Sequence, residues 1–103
     1  MKQVINRTLY DTESAEQIAR YAPRTDRGDF HFLIETLYRT KDGDLFLHAE
    51  GGAATKYAKP CNGGKTAGKE IRLFDEDEAV DWCEERAVDG DIVVREFSHL
   101  IET

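Results

Sequence analysis

Two alternating segments around a short turn form the strongest hydrophobic pattern in the chain. Residues 30–40 and 44–49 are rich in aromatic, aliphatic and β-branched side chains, and the Asp42-Gly43 dipeptide between them is a strong hairpin signal. Alternation places apolar residues on both faces of each arm. The pattern therefore predicts a β-hairpin at the centre of a sheet, with material packed over part of its second face as well.

The N-terminal third has weaker patterns. Residues 2–10 alternate imperfectly and predict a first strand. Asp11 then resembles an N-cap, and apolar residues recur at helical spacing after it. We therefore expect a short amphipathic helix over residues 13–22, ended by Pro23.

The C-terminal third predicts a strand, a helix and a second strand. Residues 69–74 read as a strand, and Asp75 begins a capping-box-like pattern for an acidic helix over residues 76–87. Gly90 stands where a helix commonly stops. The β-branched run in residues 91–97 then predicts a last strand.

These elements predict one domain over residues 1–103 with an α+β fold. Short connections and the hairpin favour an antiparallel or mixed β-sheet of about four to five strands with two helices on one face. The segment 51–69 is predicted to be a long loop, which in a small domain is more often functional or disordered than a simple connector.

Charge is divided unevenly along the chain. The 103 residues carry a formal net charge of −7, from 21 acidic and 14 basic side chains. Segment 51–69 holds five of the eight glycines and four lysines but no acidic residue, so it carries +4 and the remainder carries −11. This balance disfavours direct binding to nucleic acid or to anionic membranes, and it suits a basic protein partner.

No apolar run approaches the length of a membrane span, and the N-terminus lacks the apolar core of a signal peptide. We expect a cytoplasmic protein, as a monomer or homodimer. Two cysteines without close spacing predict neither a zinc site nor a redox motif.

Candidate chemistry is sparse. Residues 63–69 (GGKTAGK) match the spacing of a phosphate-binding loop, but Glu70 replaces the expected Ser or Thr, and a strand follows where a helix is needed. We interpret the segment as a basic, glycine-rich loop.

A metal site or a thiol nucleophile would have to use scattered residues. His48 and Glu50 share one strand face, and His31 and Cys61 could join them around a metal. Positive charge near Cys61 could lower its thiolate pKa, whereas Cys83 reads as a core residue. These spacings are weak, and we predict no cofactor, no metal and no catalytic residues.

Two charged surfaces are candidates for contact with a partner. One is the acidic outer face of the helix, and the other is the lysine-rich segment with its single aromatic residue. The candidate partner-binding residues are Asp77, Asp81, Glu84, Glu85, Lys56, Tyr57, Lys59 and Lys65. Spaced carboxylates can compete with nucleic acid for a basic groove, whereas lysines around Tyr57 could bind phosphates and stack a base.

Three strings carry a resemblance to known proteins: YDTESAEQIARY (10–21), ETLYRTKDGDLFLHAEGGAATKYA (35–58) and RLFDEDEAVDWCEE (72–85). They resemble a family of small proteins carried on phages, plasmids and conjugative elements, chiefly of Gram-positive bacteria. The resemblance implies no enzymatic activity. It implies a mobile-element context in which small acidic proteins, anti-CRISPR proteins among them, bind and block host proteins.

The expected function is therefore that of a non-enzymatic binder. We expect it to inhibit a host defence complex by contacting a protein or ribonucleoprotein that handles nucleic acid. Two alternatives stay open at this point. One is a nucleic-acid-binding accessory factor that uses Lys56, Tyr57, Lys59, Lys65 and Lys69, and the other is a small metal- or thiol-dependent enzyme.

Overall fold

A computed structural model describes residues 1–103 as eight strands, two α-helices and a 3-10 turn. The strands are β1 Lys2–Ile5, β2 Thr8–Asp11, β3 Glu16–Arg24, β4 Leu33–Arg39, β5 Leu45–Gly51, β6 Lys59–Cys61, β7 Gly64–Thr66 and β8 Gly68–Phe74. The helices are α1 Glu76–Glu85 and α2 Gly90–Phe97, and the 3-10 turn Ser98–Leu100 follows. The main sheet is antiparallel in the order β3-β4-β5-β8, and β1–β2 and β6–β7 form separate two-stranded hairpins. The predicted α+β class is confirmed.

The central hairpin is β4–β5, as predicted. Its turn is a three-residue loop in which the Thr40 N–H donates to the Asp44 carbonyl at 2.8 Å and the Gly43 N–H donates to the Thr40 carbonyl at 3.0 Å. Gly43 has a φ of 91°, a left-handed conformation that glycine adopts without strain. Both arms are flanked by a further strand, so the hairpin occupies the middle of the sheet.

Apolar residues are buried on both faces of the sheet. On one face, both helices pack over Leu37 and Leu47, and the fully buried Phe97 of α2 joins this core. On the other face, the β1–β2 hairpin brings Tyr10 against Phe46, with ring centroids 5.4 Å apart. Burying a side chain as large as Phe46 stabilises the fold by about 2–3 kcal/mol.

The predicted helix over residues 13–22 is wrong, because these residues enter strand β3. Ile18 and Ala19 are adjacent and both buried, which is unusual for a strand and mimics helical spacing. The cause is a register shift between Gln17 and Ala19 in the pairing of β3 with β4. The predicted strand over residues 2–10 is also divided, since Asn6 and Arg7 adopt positive φ angles and turn the chain between β1 and β2.

The predicted strand over residues 91–97 is wrong, because this segment is helix α2. Asp89 caps it by accepting a hydrogen bond from the Asp91 N–H at 2.9 Å, and packing of Phe97 outweighs the β propensity of the Ile-Val-Val run. Gly90 therefore begins α2 and does not end α1. Ala87 takes the left-handed position after α1 instead, with a φ of 52°.

Segment 51–69 is not one long loop. It contains β6 and β7, and β8 already begins at Gly68. Gly52 lies against the backbone before β4, and a Cβ at this position would overlap the carbonyl oxygen of Phe30. Neither helix has the length and apolar composition that crossing a membrane requires.

Candidate functional site

A buried carboxylate, Glu35 of β4, is the centre of the most highly connected polar site. Its side chain has no exposed surface. One oxygen, Oε1, accepts from Arg86 Nε at 2.6 Å and from Trp82 Nε1 at 3.0 Å. The other, Oε2, accepts from the hydroxyl of Tyr57 and lies 3.8 Å from Lys56 Nζ. We call these five residues the Glu35 network.

Sheet alternation and helix periodicity place the network. Glu35 lies between Leu33 and Leu37 on the strand face that α1 covers. Trp82 and Arg86 are four residues apart at the end of α1, so both side chains point to that face. Lys56 and Tyr57 reach the network from the chain reversal after β5. Its two turns are closed by hydrogen bonds that the backbone N–H groups of Thr55 and Ala58 donate.

Hydrogen bonding decides the charge state of this carboxyl. Burial alone raises the pKa of Glu35, but hydrogen bonds from Arg86, Tyr57 and Trp82 favour the ionised form and lower the pKa below the ordinary value of 4.5. Burial and the neighbouring carboxylate raise the pKa of the Tyr57 hydroxyl, so Tyr57 stays protonated and donates. Glu35 is therefore an ionised hydrogen-bond acceptor that holds its neighbours in place.

A cleft of about 210 Å³ opens between α1 and the sheet above this network. Arg72 and Lys56 form one side, each with its charge 5.3 Å from the centre of the Tyr57 ring. Glu78, Asp81 and Glu85 of α1 contribute carboxylates to the other side. The cations have partners, because Arg72 is 3.0 Å from Glu70 and Lys56 lies near Glu35. Asp81 and Glu85 form no ion pair, so the cleft has a surplus of negative charge on its α1 side.

The four predicted acidic residues form one exposed stripe along α1. Asp77, Asp81, Glu84 and Glu85 all face solvent, and no basic side chain lies within ion-pairing distance of any of them. We call these four the α1 carboxylate face. The helix itself begins as predicted, since the Glu78 N–H donates to Asp75 and the Asp75 N–H donates back to the Glu78 side chain.

The predicted lysine surface is divided by the fold. Lys56 lines the cleft, whereas Lys59 and Lys65 lie on the exposed β6–β7 hairpin. Tyr57 is only 2% exposed, with its ring under two cations and its hydroxyl on Glu35. In this conformation the ring is not available to stack on a base, so the expectation that Tyr57 stacks a nucleic-acid base is wrong for this structure.

The candidate metal ligands do not form a metal site, and the two thiols lie in different environments. His48 and Glu50 share a face of β5 as predicted, but no three His, Cys, Asp or Glu side chains are arranged as a metal site. His48 Nε2 is buried without a hydrogen-bond partner, and burial lowers the pKa of this imidazole. Cys61 is exposed on β6, whereas Cys83 is buried in the core, which raises its thiol pKa to about 11.

Sequence reasoning missed Glu35 and Arg72 as site residues. A signal for Glu35 was present, because alternation places this carboxylate on the same strand face as Leu33 and Leu37, where a buried charge needs partners. Helical periodicity likewise places Arg86 on the same helix face as Trp82, which is buried. The pattern did not indicate that the two would meet, since they are 51 residues apart in sequence.

Comparison of the chain with protein-family models, curated proteins and solved structures gives no match. The functional interpretation therefore depends on the geometry and charge of this chain.

Proposed function

We propose that this protein is a small, acidic, non-enzymatic binding protein whose docking surface is the α1 carboxylate face. Its partner is a protein or ribonucleoprotein that handles nucleic acid, and the carboxylates occupy the basic surface that would otherwise hold phosphates. In the mobile-element context implied by the resemblance, the partner is a host defence complex and the outcome is its inhibition.

The observation that carries this proposal is a set of four exposed carboxylates without a basic partner. Asp77, Asp81 and Glu85 follow one another at four-residue spacing, so like charges are neighbours on one helix face. Each such pair destabilises a helix by about 0.2–0.5 kcal/mol. Acidic groups near a helix C-terminus are also unfavourable, and the last turn of α1 has no basic residue. The arrangement costs stability without a compensating contact inside the chain, which favours a role in binding.

The geometry of the Glu35 network supports a non-enzymatic role. A general base must reach a substrate proton, but both oxygens of Glu35 are occupied and its side chain is fully buried. The nucleic-acid alternative is weakened because Tyr57 is buried and the lysines are divided between the cleft and the β6–β7 hairpin.

The test is affinity capture from a bacterial lysate with two charge-reversed baits. One bait has lysine at all four positions of the α1 carboxylate face. The matched control has lysine at four exposed acidic residues elsewhere that also make no ion pair: Glu13, Glu16, Asp44 and Glu102. Both baits change net charge equally, so a difference between them reports position.

We expect the wild-type and control baits to capture a nucleic-acid-handling protein that salt elutes, and the α1 bait to lose it. The purified partner should then lose DNA or RNA in a gel-shift assay when the wild-type protein is added. Equal capture by the two reversed baits, or a partner that retains its nucleic acid, would contradict the proposal.

A further inference from the structure

The outer edge of strand β8 has backbone groups with no partner. β8 is the last strand of the main sheet and pairs with β5 over seven residues without a register shift. The opposite edge strand, β3, has two register shifts and a proline, features that commonly block edge pairing. β8 has neither.

The hydrogen-bond pattern of the hairpin shows which β8 groups point outward. Thr40 with Asp44 and Phe32 with Gly52 are hydrogen-bonded pairs that continue the β4–β5 ladder at its two ends. Bonded pairs alternate along an antiparallel ladder, so the odd-numbered residues of β5 direct their backbone groups toward β8. Their β8 partners are even-numbered. The N–H and C=O groups of Lys69, Ile71 and Leu73 therefore face away from the sheet.

From this edge we propose that the protein forms a symmetric dimer in which the β8 strands of two copies pair antiparallel, with the two-fold axis at Ile71. About six backbone hydrogen bonds would then join Lys69, Ile71 and Leu73 to Leu73, Ile71 and Lys69 of the second copy. The two four-stranded sheets become one continuous sheet. This proposal is independent of the proposed function.

Side-chain charge selects this register. With the axis at Ile71, Glu70 of each copy lies opposite Arg72 of the other, in the non-bonded positions where cross-strand side chains are closest. The two residues already pair within one chain at 3.0 Å and are 37% and 45% exposed, so both can reach a second copy.

The neighbouring registers bring like charges together. An axis at Lys69 places two lysines opposite each other, one at Glu70 places two glutamates, and one at Arg72 places two arginines. An axis at Leu73 sets Glu70 against Glu76, beyond the end of the strand. Like charges directly opposite each other destabilise a sheet. Of these registers, only the one with its axis at Ile71 places opposite charges, and no like charges, across the two β8 strands.

Such a dimer keeps α1 of both copies on the same face of the joined sheet, because residues opposite each other across a ladder share a face. Two α1 carboxylate faces would therefore be presented in one direction. A partner with two basic sites would bind both faces together.

Charge exchange at Glu70 and Arg72 tests the dimer. In sedimentation experiments over a range of concentrations at moderate salt, the wild-type protein should dimerise. The single variants Glu70→Arg and Arg72→Glu should each weaken association by about tenfold or more, because two like-charge pairs form across the axis. The double variant E70R/R72E should recover dimerisation, since opposite charges again face each other.

Hydrogen exchange provides a second readout for each residue. On raising the protein concentration, the amides of Lys69, Ile71 and Leu73 should become protected. The amides of Glu70 and Arg72, which already bond to β5, should be protected at every concentration. A wild-type chain that stays monomeric at millimolar concentration, a double variant that does not recover, or protection gained at β3 would each overturn the proposal.

Discussion

Replacing Glu35 with glutamine removes the charge at the centre of the Glu35 network while keeping the side-chain shape. Arg86 would then keep its charge in a site where its side chain is only 19% exposed, without the carboxylate that lies 2.6 Å from it. Breaking a buried ion pair on one side costs about 3–5 kcal/mol. Glutamine keeps an acceptor for Trp82 and water partly reaches Arg86, so we expect the lower end, about 3 kcal/mol.

Urea unfolding measures this loss. The only tryptophan, Trp82, contacts Glu35 directly and reports on the site by fluorescence, and circular dichroism supplies a probe that the substitution does not touch. A loss of about 3 kcal/mol corresponds to a melting temperature lower by about 15 °C for a domain of this size. The control is Arg24→Gln, which breaks an exposed pair with Asp29 and should cost less than about 1 kcal/mol.

The pH dependence has a definite sign. The folded pKa of Glu35 lies below its ordinary value of 4.5, so its stabilisation is present above that pH and is lost as the pH falls through the folded pKa. The stability gap between the wild type and Glu35→Gln should therefore shrink in acid. If Glu35→Gln stays within about 1 kcal/mol of the wild type at neutral pH, the network contributes no more than a surface pair and the reasoning is refuted.

Three further predictions concern other parts of the fold. Burial lowers the pKa of His48 below 6.5, so on acidification the unfolded chain binds a proton before the folded chain does, and the free energy of unfolding should fall as the pH drops below 6.5. His48→Gln should flatten that part of a stability–pH profile, and an unchanged slope would contradict the role of His48. Gly52→Ala should lower the free energy of urea unfolding by about 2 kcal/mol or more because its Cβ would overlap the Phe30 carbonyl, whereas Gly64→Ala, whose Cβ would meet no neighbouring atom, should lower it by less than about 0.5 kcal/mol. Equal losses would refute the close contact at Gly52. A thiol reagent should modify only Cys61 in the native protein and Cys83 as well in denaturant, whereas two fast native thiols would show that the core is open.

Elements specified by local chemistry could be predicted from sequence. The β4–β5 hairpin follows from the Asp42-Gly43 turn, and the start of α1 follows from the reciprocal cap between Asp75 and Glu78. In each case the decisive contact joins residues a few positions apart.

Elements decided by distant contacts could not be predicted. The register shift near Ala19 gave β3 a helix-like pattern, and packing of Phe97 onto the core made a helix from β-prone residues. The Glu35 network has the same character, because Trp82 and Arg86 lie 47 and 51 residues away in sequence. The acidic stripe on α1 needed only helical periodicity, and its exposure is as predicted.

The most direct test of the central claim is a binding titration of the captured partner against the wild-type protein and the two charge-reversed baits. We predict that reversal of the α1 carboxylate face weakens binding by about a hundredfold or more, while the matched control stays within about threefold of wild type. Binding that is unchanged by reversal of α1, or weakened equally by the control, would contradict the claim that these four carboxylates form the docking surface.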